Sequence, residues 1–305
     1  DRIVVDRRVA MQFLAGTAAL AVGAARVGRV SAQATPSPLG GLGLPELTIA
    51  LTNQGYQAPA SATAGWNVVT FHNQLPQQDD GPDLMLIPQG ETIQSVFAVV
   101  ATPAASPALP AWLFQTTFAG GPYAPAGGAR QAVVHLTPGD WMVWSAGEAI
   151  PPAPLSVAGA GSPAAEPNLT ADVEVTLTEY AFKGLEAGLQ PGSQQWKVTN
   201  AGAQPHFMIL GKAPNGATTE QLLAGINAEM TGTPAASALD LTQIPTVGGC
   251  TTLSAGQSLY LPLDLAAGSY AAVCFFPDEQ QSVPHALLGM ATIFTVGEAG
   301  AVATP

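Results

Sequence analysis

Apolar and polar residues alternate in many short stretches of the chain. In residues 173–178, Val, Val and Leu alternate with Glu, Thr and Thr, and in residues 259–265 four leucines alternate with Tyr, Pro and Asp. A period of two predicts half-buried β-strands, and Gly and Pro residues bound many of these stretches. The pattern therefore predicts a protein built from many short strands.

Only one stretch in each half of the chain has helical spacing. In the second half it covers residues 218–230, where Thr218 is a suitable N-cap and Glu220 lies in the first turn. The apolar residues expected on one face of this helix are Leu222, Leu223, Ile226 and Met230. A shorter helix is predicted at residues 92–100.

The two halves of the chain repeat one pattern at nearly constant spacing. The matching segments are 65–73 with 192–200, 82–87 with 205–210, and 136–145 with 265–274. The pentapeptide Thr-Pro-Ala-Ala-Ser occurs at 102–106 and at 233–237, and a Gly-Gly pair occurs at 120–121 and at 248–249. An aligned repeat indicates that each half is one structural unit.

Seven or so strands and one helix in each repeat predict an all-β protein with two tandem β-sandwich domains. We expect the first domain at residues 45–150 and the second at residues 169–298. A segment rich in Pro, Ala and Gly, residues 151–168, is predicted to be the linker, and residues 299–305 a tail.

The composition narrows the range of functions. Of 305 residues, 47% are hydrophobic and only 10% are charged, so there is enough apolar material for a packed core. The 33 Gly and 27 Pro residues exclude a long coiled coil. The formal net charge of -12 would repel phosphate backbones, and we therefore exclude nucleic acid as a partner.

The N-terminal segment has the features of an export signal. Arg7 and Arg8 precede an apolar run at residues 11–25, and a small-residue cleavage site ends at Ala34. The paired arginines resemble a twin-arginine signal, and an uncleaved amphipathic anchor is the alternative. We expect a signal at residues 1–34, a flexible leader at 35–44, and an extracytoplasmic product (periplasm, cell surface or secreted) with no stable membrane span in the mature form.

Four residues of the second repeat have the chemistry of a metal site. His206 follows a loop that starts at Asn200, Cys274 follows a predicted strand, and His285 and Met290 come before the last strand. Two imidazoles, one thiolate and one thioether are the ligand set of a blue-copper centre, in which the Met sulfur is a weak axial ligand. All four residues can converge at one end of a sandwich.

On these residues, the second repeat resembles the cupredoxins, the plastocyanin and azurin family. The Asn-Ala-Gly…Pro-His run that ends at His206, the Gly-Ser-Tyr…Cys run that ends at Cys274, and the His285…Gly-Met290 segment are similar to the family's ligand segments. The resemblance covers roughly residues 171–297 and implies a Greek-key β-sandwich. It also implies one copper ion per chain, with His206, Cys274 and His285 as equatorial ligands.

The family resemblance implies one-electron transfer with a redox partner protein, which the sequence does not identify. His285, among apolar neighbours, is then expected to be the exit for the electron at a small docking patch. The sequence contains no Ser/His/Asp arrangement and no phosphate-binding glycine loop. We therefore expect an electron carrier or copper-binding protein rather than an enzyme.

The sequence departs from the family pattern at two places. Ten residues, 275–284, separate Cys274 from His285, so this loop has to bulge outward before it returns. Phe207 follows the first histidine where the best-known members have Asn, which removes a side chain that supports the thiolate loop there.

The first repeat lacks the ligand set. It has Asp83 at the position of His206 and Ser145 at the position of Cys274. Its histidines, His72 and His135, align with other positions, and we interpret them as ordinary strand or surface residues. The first domain is predicted to be a metal-free docking or spacer module.

Two other functions remain open at the sequence level. Cys250 and Cys274 are the only cysteines, and an even pair in an exported protein favours a disulfide. In that case the chain is a metal-free β-sandwich module for interaction at the cell surface. The other alternative is capture or delivery of copper without electron transfer.

Overall fold

The computed structural model describes residues 39–101, 109–145, 150–159, 165–186, 188–233 and 235–297. The predicted export signal, the predicted tail at 299–305 and the first Thr-Pro-Ala-Ala-Ser repeat lie outside the described residues, as do parts of the predicted leader and linker. Within the described residues, no helix is both long and apolar enough to cross a lipid bilayer.

The first β-sandwich begins after a short 3₁₀ helix at Leu39–Leu42. Its strands are β1 (Glu46–Thr52), β2 (Gly55–Gln57), β3 (Ser61–Thr63), β4 (Gly65–Asn73), β5 (Asp83–Leu86), β6 (Ala129–Leu136), β7 (Gly139–Trp144) and β8 (Ala153–Ala158). Two helices, α1 (Ile93–Ala101) and α2 (Trp112–Gln115), lie between β5 and β6. Helix α1 is within one residue of its predicted bounds.

The second β-sandwich follows a similar plan. Its strands are β9 (Val173–Thr178), β10 (Ala181–Lys183), β11 (Gly192–Asn200), β12 (His206–Lys212), β13 (Thr246–Leu253), β14 (Ser258–Leu265), β15 (Gly268–Val273) and β16 (Ala291–Val296). Helix α3 (Thr219–Thr231) follows β12. Two further 3₁₀ helices lie at Leu241–Gln243 and His285–Leu288.

One sheet runs through both sandwiches. Its strand order is β10-β9-β11-β14-β6-β4-β1-β2, so β14 of the second sandwich pairs directly with β6 of the first. The other two sheets, β13-β12-β15-β16 and β3-β8-β7-β5, have four strands each. The prediction of two β-sandwiches is confirmed. The shared sheet was not predicted, and it pairs two strand edges whose free N–H and C=O groups are otherwise exposed.

Strand β8 lies in the segment predicted to be a linker, and that prediction is wrong for residues 153–158. The strand pairs antiparallel with β7 and parallel with β3. Ala153, Leu155 and Val157 are buried and alternate with exposed residues. This period of two is hard to recognise in the sequence because the segment is rich in small residues and Pro, which are also typical of linkers.

Helix α3 is capped at both ends by local interactions. The Gln221 N–H donates to the Thr218 side chain, and the Thr218 N–H donates to the Gln221 side chain, which together form a capping box. Gly232 follows the helix with a φ of 65°, a left-handed conformation that glycine adopts without steric penalty. Leu222 and Ile226 are buried, as the helical spacing predicts.

The two sandwiches also meet along β13 through specific polar contacts. The Thr252 N–H donates to the Asp83 carboxylate at 2.9 Å, and the Thr251 hydroxyl donates to the Pro82 carbonyl at 3.0 Å. Asp83 is 4% exposed, so its carboxylate depends on these neighbours in place of water. The position that corresponds to His206 is thus part of the contact between sandwiches.

A second carboxylate, that of Asp80, is buried beside this contact. It accepts hydrogen bonds from the Tyr56 hydroxyl at 3.1 Å and the Gly81 N–H at 2.7 Å. Burial raises the pKa of Asp80 to about 7, although these two hydrogen bonds and one from Ser145 act in the opposite direction. The folded protein therefore holds a proton on Asp80 at pH values where the unfolded chain releases it.

We expect Asp80→Asn to change how stability depends on pH. A raised folded-state pKa contributes stability that is complete below about pH 4 and is lost as the pH rises towards 7. The free energy of unfolding of the variant minus that of the parent should therefore rise by at least ~1 kcal/mol between pH 4 and pH 8. One pKa unit corresponds to about 1.4 kcal/mol. Urea unfolding measures this difference. Asp264→Asn, at an exposed position on β14, is the control, and a difference that does not vary with pH would contradict the prediction.

Candidate metal centre

His206 is the first residue of β12 and is completely buried. The loop before it is held by Asn200, whose side-chain amide donates to the carbonyls of Gln204 at 2.8 Å and Leu253 at 2.7 Å. The side-chain oxygen of Asn200 accepts the Gly202 N–H at 2.8 Å. Because Asn200 binds both its own loop and β13, it fixes where β12 begins and places His206 at the end of the sandwich.

The other three candidate ligands are connected through the backbone. Cys274 directly follows β15, and its N–H donates to the Met290 carbonyl at 3.0 Å. The Met290 N–H donates to the His285 carbonyl at 2.9 Å, and the His285 N–H donates to the Phe276 carbonyl at 2.9 Å. These bonds draw the two ends of the ligand loop together.

The ten residues between Cys274 and His285 form a compact turn, as the long spacing requires. An isolated bridge pairs Pro277 with Pro284, and the Asp278 N–H donates to the Val283 carbonyl at 2.8 Å. The Asp278 carboxylate accepts the N–H groups of the following turn, including that of Gln281 at 2.7 Å. The turn closes on itself and returns the chain to the cysteine.

The donor atoms of His206, Cys274 and His285 all lie within 4.8 Å of one another. The Cys274 Sγ is 3.8 Å from the His285 Nδ1, and the two imidazole centroids are 4.7 Å apart. All three side chains are 0% exposed. The structure thus brings together the three residues predicted as equatorial ligands, in a region closed to solvent.

The imidazole nitrogens are short of hydrogen-bond partners. Among the described residues, neither nitrogen of His206 has one, and neither does the Nε2 of His285. A buried polar group without a partner costs about 1–3 kcal/mol, so such groups call for an explanation. Imidazole and thiolate donors at this spacing fit a bound metal ion, and with a thioether nearby they are the donor set that copper prefers.

Burial keeps the candidate ligands uncharged in the metal-free protein. It lowers the pKa of His206 to about 4, against the attraction of Glu179, and the pKa of His285 to about 3, to which the neighbouring His206 also contributes. Both imidazoles are therefore neutral donors near pH 7. Burial raises the pKa of Cys274 to about 12, so a metal ion has to displace the thiol proton when it binds.

A backbone group supports the cysteine sulfur. The Phe207 N–H donates to the Cys274 Sγ at 3.4 Å, and hydrogen bonds from the N–H groups of Phe207 and Phe276 lower the pKa of this thiol against the effect of burial. The sequence departure at Phe207 therefore removes a side chain from this position but leaves a main-chain donor to the sulfur.

Met290 is completely buried and hydrogen-bonded through its backbone to both Cys274 and His285. This placement agrees with its position in the predicted ligand set. Its role as an axial ligand stays a prediction.

The first sandwich packs against the ligand loop. Phe276, which follows Cys274 in the ligand loop, lies 6.0 Å from the His285 ring. Its other contacts are edge-on, with Phe114 at 5.9 Å and Phe118 at 6.2 Å. Both belong to the first sandwich, which the sequence predicted to be a docking or spacer module. The sequence could not show this contact because its residues lie more than 150 positions apart.

His285 is not positioned as the exposed electron exit that the sequence predicted. Its ring is 0% exposed and is enclosed by Tyr180 at 5.3 Å, His206 at 4.7 Å and Phe276. Of the apolar neighbours expected to form a docking patch, only Leu287 and Leu288 are partly exposed. The patch prediction is wrong because Tyr180 of the β9–β10 turn, together with His206 and Phe276, encloses the ring.

The remaining histidines lie away from this centre, on strands of the first sandwich. His72 is exposed at the end of β4, and His135 on β6 packs edge-on against Trp66 at 5.2 Å. The interpretation of both as strand or surface residues agrees with these positions.

The disulfide of the alternative hypothesis is not formed. Cys250 and Cys274 are both free thiols and both buried. Cys250 lies on β13 opposite Met208. The hypothesis of a metal-free module held by a Cys250–Cys274 bond is therefore wrong in its main feature.

Comparison with protein-family models found no match, and comparison with curated proteins found none either. Among solved structures, a dithionite-reduced auracyanin from the photosynthetic bacterium Roseiflexus castenholzii aligns with 41% of this chain and 94% of its own, at 20% identity and a TM-score of 0.26. A multicopper oxidase aligns with 83% of this chain and 88% of its own, at 10% identity and a TM-score of 0.22. The copper nitrite reductase from Nitrosomonas europaea aligns with 84% of this chain and 94% of its own, at 9% identity and a TM-score of 0.22.

These comparisons correct the expectation that the chain is not an enzyme. The solved structures that align with most of it include a multicopper oxidase and copper nitrite reductases, which are enzymes. The lack of hydrolytic or nucleotide-binding motifs is no ground for excluding catalysis, because copper enzymes use their metal for the chemistry.

We expect two free thiols per chain in the metal-free protein. Titration with a thiol reagent after denaturation, without a reducing agent, measures them. Cys250→Ala should leave one thiol and Cys274→Ser should leave one, since neither cysteine depends on the other for its state. A titration that finds no thiol in the parent would mean that the two cysteines are bonded in solution.

Proposed function

We propose that the chain binds one copper ion in its second sandwich and passes single electrons outside the cytoplasm. His206, Cys274 and His285 would hold the ion, and the Met290 thioether is proposed as a fourth, weaker donor. The observation that carries the proposal is the convergence of three buried donors within 4.8 Å, with imidazole nitrogens that have no other partner among the described residues.

The donor set favours copper over harder metals. Thiolate and thioether sulfur are soft ligands, and His₂Cys with a distant Met is the arrangement of blue-copper electron-transfer sites. Copper in such a site supplies a centre that gains and loses one electron. The protein's contribution is to hold the ligands and to set their surroundings.

The residues around the ligands are suited to hold a fixed geometry. Asn200 fixes the loop before His206, the Phe207 N–H supports the sulfur, and the backbone bonds of Met290 hold the loop ends together. Ligands that are held by packing and hydrogen bonds rearrange little when the charge of the site changes. Burial also excludes water from the ligands.

Burial favours a retained metal over capture and delivery. A carrier that exchanges copper with other proteins needs ligands that a second protein can reach. Here His206, Cys274 and His285 are 0% exposed, with Tyr180 against His285 on one side and Phe276 on another. An electron can cross such a cover, whereas a metal ion cannot leave without opening it.

Sequence features support the proposed location and the proposed kind of partner. The paired arginines, the apolar run at residues 11–25 and the small-residue site at Ala34 support export by a cleaved signal. The electron is proposed to pass to or from another redox protein. The net charge of -12 favours a partner with a basic surface over an anionic one.

We expect the protein to bind one Cu(II) and to develop an intense visible absorption band, because a thiolate ligand transfers charge to the metal. Cys274→Ser should abolish the band, and His206→Ala or His285→Ala should weaken copper binding. The matched control is Ser145→Ala, at the corresponding position of the first repeat, which should leave the band unchanged. Optical titration and metal analysis measure the outcome. A colourless parent, or two coppers per chain, would count against the proposal.

Met290→Leu should keep copper bound and raise its reduction potential, because loss of a sulfur donor disfavours the more positive oxidation state. Met208→Leu, at a buried methionine on β12, is the control for a change in core packing. Redox titration of the visible band measures both variants. An unchanged potential in the Met290 variant would mean that this side chain only fills the core.

A further inference from the structure

Glu179 lies at the turn between β9 and β10, next to the first candidate ligand. Its Oε1 is 3.8 Å from the His206 Nε2, too far for a hydrogen bond but close enough for electrostatic attraction. The imidazole is 0% exposed and the Glu179 side chain is 39% exposed. The carboxylate therefore faces a buried ligand from the solvent side.

The loop before His206 is shaped to hold this carboxylate. Glu179 accepts the N–H of Ala203 and, at 3.2 Å, the N–H of Gln204, and these two bonds fix its position. Gly202 lies between the two groups. A Cβ at this position would come within 2.6 Å of the Glu179 Oε1 and 2.8 Å of the His206 Nε2, so only glycine fits there.

The same turn contacts the second imidazole. Tyr180 packs edge-on against His285 at 5.3 Å, and its hydroxyl donates to the Asp278 carboxylate at 2.7 Å. Tyr180 has a φ of 63°, a left-handed conformation that is unusual for a bulky residue. A strained backbone conformation of this kind persists where the surrounding structure requires it. Here it lets two consecutive residues of the turn, Glu179 and Tyr180, each contact one of the two imidazoles.

We propose that Glu179 is a positioning residue for His206. The carboxylate attracts a proton to Nε2, which leaves Nδ1 free as the lone-pair donor and fixes the orientation of the ring. A carboxylate on the far nitrogen also makes an imidazole a stronger electron donor to its metal. The role towards copper rests on the proposed function, whereas the choice of tautomer does not.

The test compares Glu179→Gln with the parent in two measurements. The amide oxygen of Gln can still accept the N–H groups of Ala203 and Gln204, but the negative charge is lost. In the metal-free proteins, ¹⁵N NMR of His206 reports which ring nitrogen carries the proton. We expect the Nε2–H form in the parent and a loss of that preference in the variant. An Nδ1–H form in the parent, or the same tautomer ratio in both proteins, would overturn the proposal.

The second measurement is the reduction potential of the copper-loaded proteins. We expect Glu179→Gln to shift it upward by more than the control Glu279→Gln does. Glu279 carries the same charge at the same end of the sandwich, and its backbone N–H donates to the Gln204 side chain at 2.8 Å. Equal shifts in the two variants would mean that Glu179 acts only through its charge at a distance, and would overturn the positioning role.

The two measurements separate failure of this inference from failure of the proposed function. If the parent binds no copper, the proposed function fails, and the tautomer of His206 still decides whether Glu179 positions the ring. If copper binds and the tautomer and potential are both unchanged while the variant unfolds more easily, Glu179 only holds the loop, and the inference is wrong.

Discussion

Two imidazoles and a thiol are buried side by side in the second sandwich. Burying these polar groups away from water is unfavourable, so the surrounding chain has to hold them in place. Burial depresses the pKa values of both histidines and raises that of Cys274, so the donors stay neutral without a metal. The neighbouring chain fixes the position of each donor separately. Asn200 ties the loop before His206 to β13, and Met290 joins the two ends of the ligand loop. Such a site is preorganised, since its shape depends on packing and main-chain hydrogen bonds.

The first sandwich lacks the ligands but contributes to the environment of the site. At the two positions that correspond to His206 and Cys274, it has Asp83, which accepts an N–H from β13, and Ser145, which hydrogen-bonds to Asp80. The two positions thus lie in the candidate metal centre in one half, whereas in the other half Asp83 contacts the second sandwich and Ser145 contacts a residue of its own sandwich. The shared sheet holds the sandwiches together, and this allows Phe114 to pack against the ligand loop.

The β9–β10 turn encloses the site from another side. Glu179 faces His206 and Tyr180 faces His285, while the first sandwich packs against Phe276. The histidine that the sequence placed at the surface is therefore covered by residues of the second half, and the first half packs against one of them, Phe276. An enclosed centre can exchange electrons without an open channel, because electron transfer needs short distances through packed atoms rather than direct contact with solvent.

The sequence by itself determined the features that depend on local pattern. The period of two predicted the strands, the capping residues predicted α3, and the order of His206, Cys274 and His285 along the chain predicted three residues that converge. Only the tertiary structure decided that β14 pairs with β6, that residues 153–158 form a strand, that His285 is covered, and that Glu179 faces a ligand. These features arise from contacts between residues far apart in the chain. Such contacts depend on how the strands are paired and packed, and they leave no periodic or spacing signal at either end.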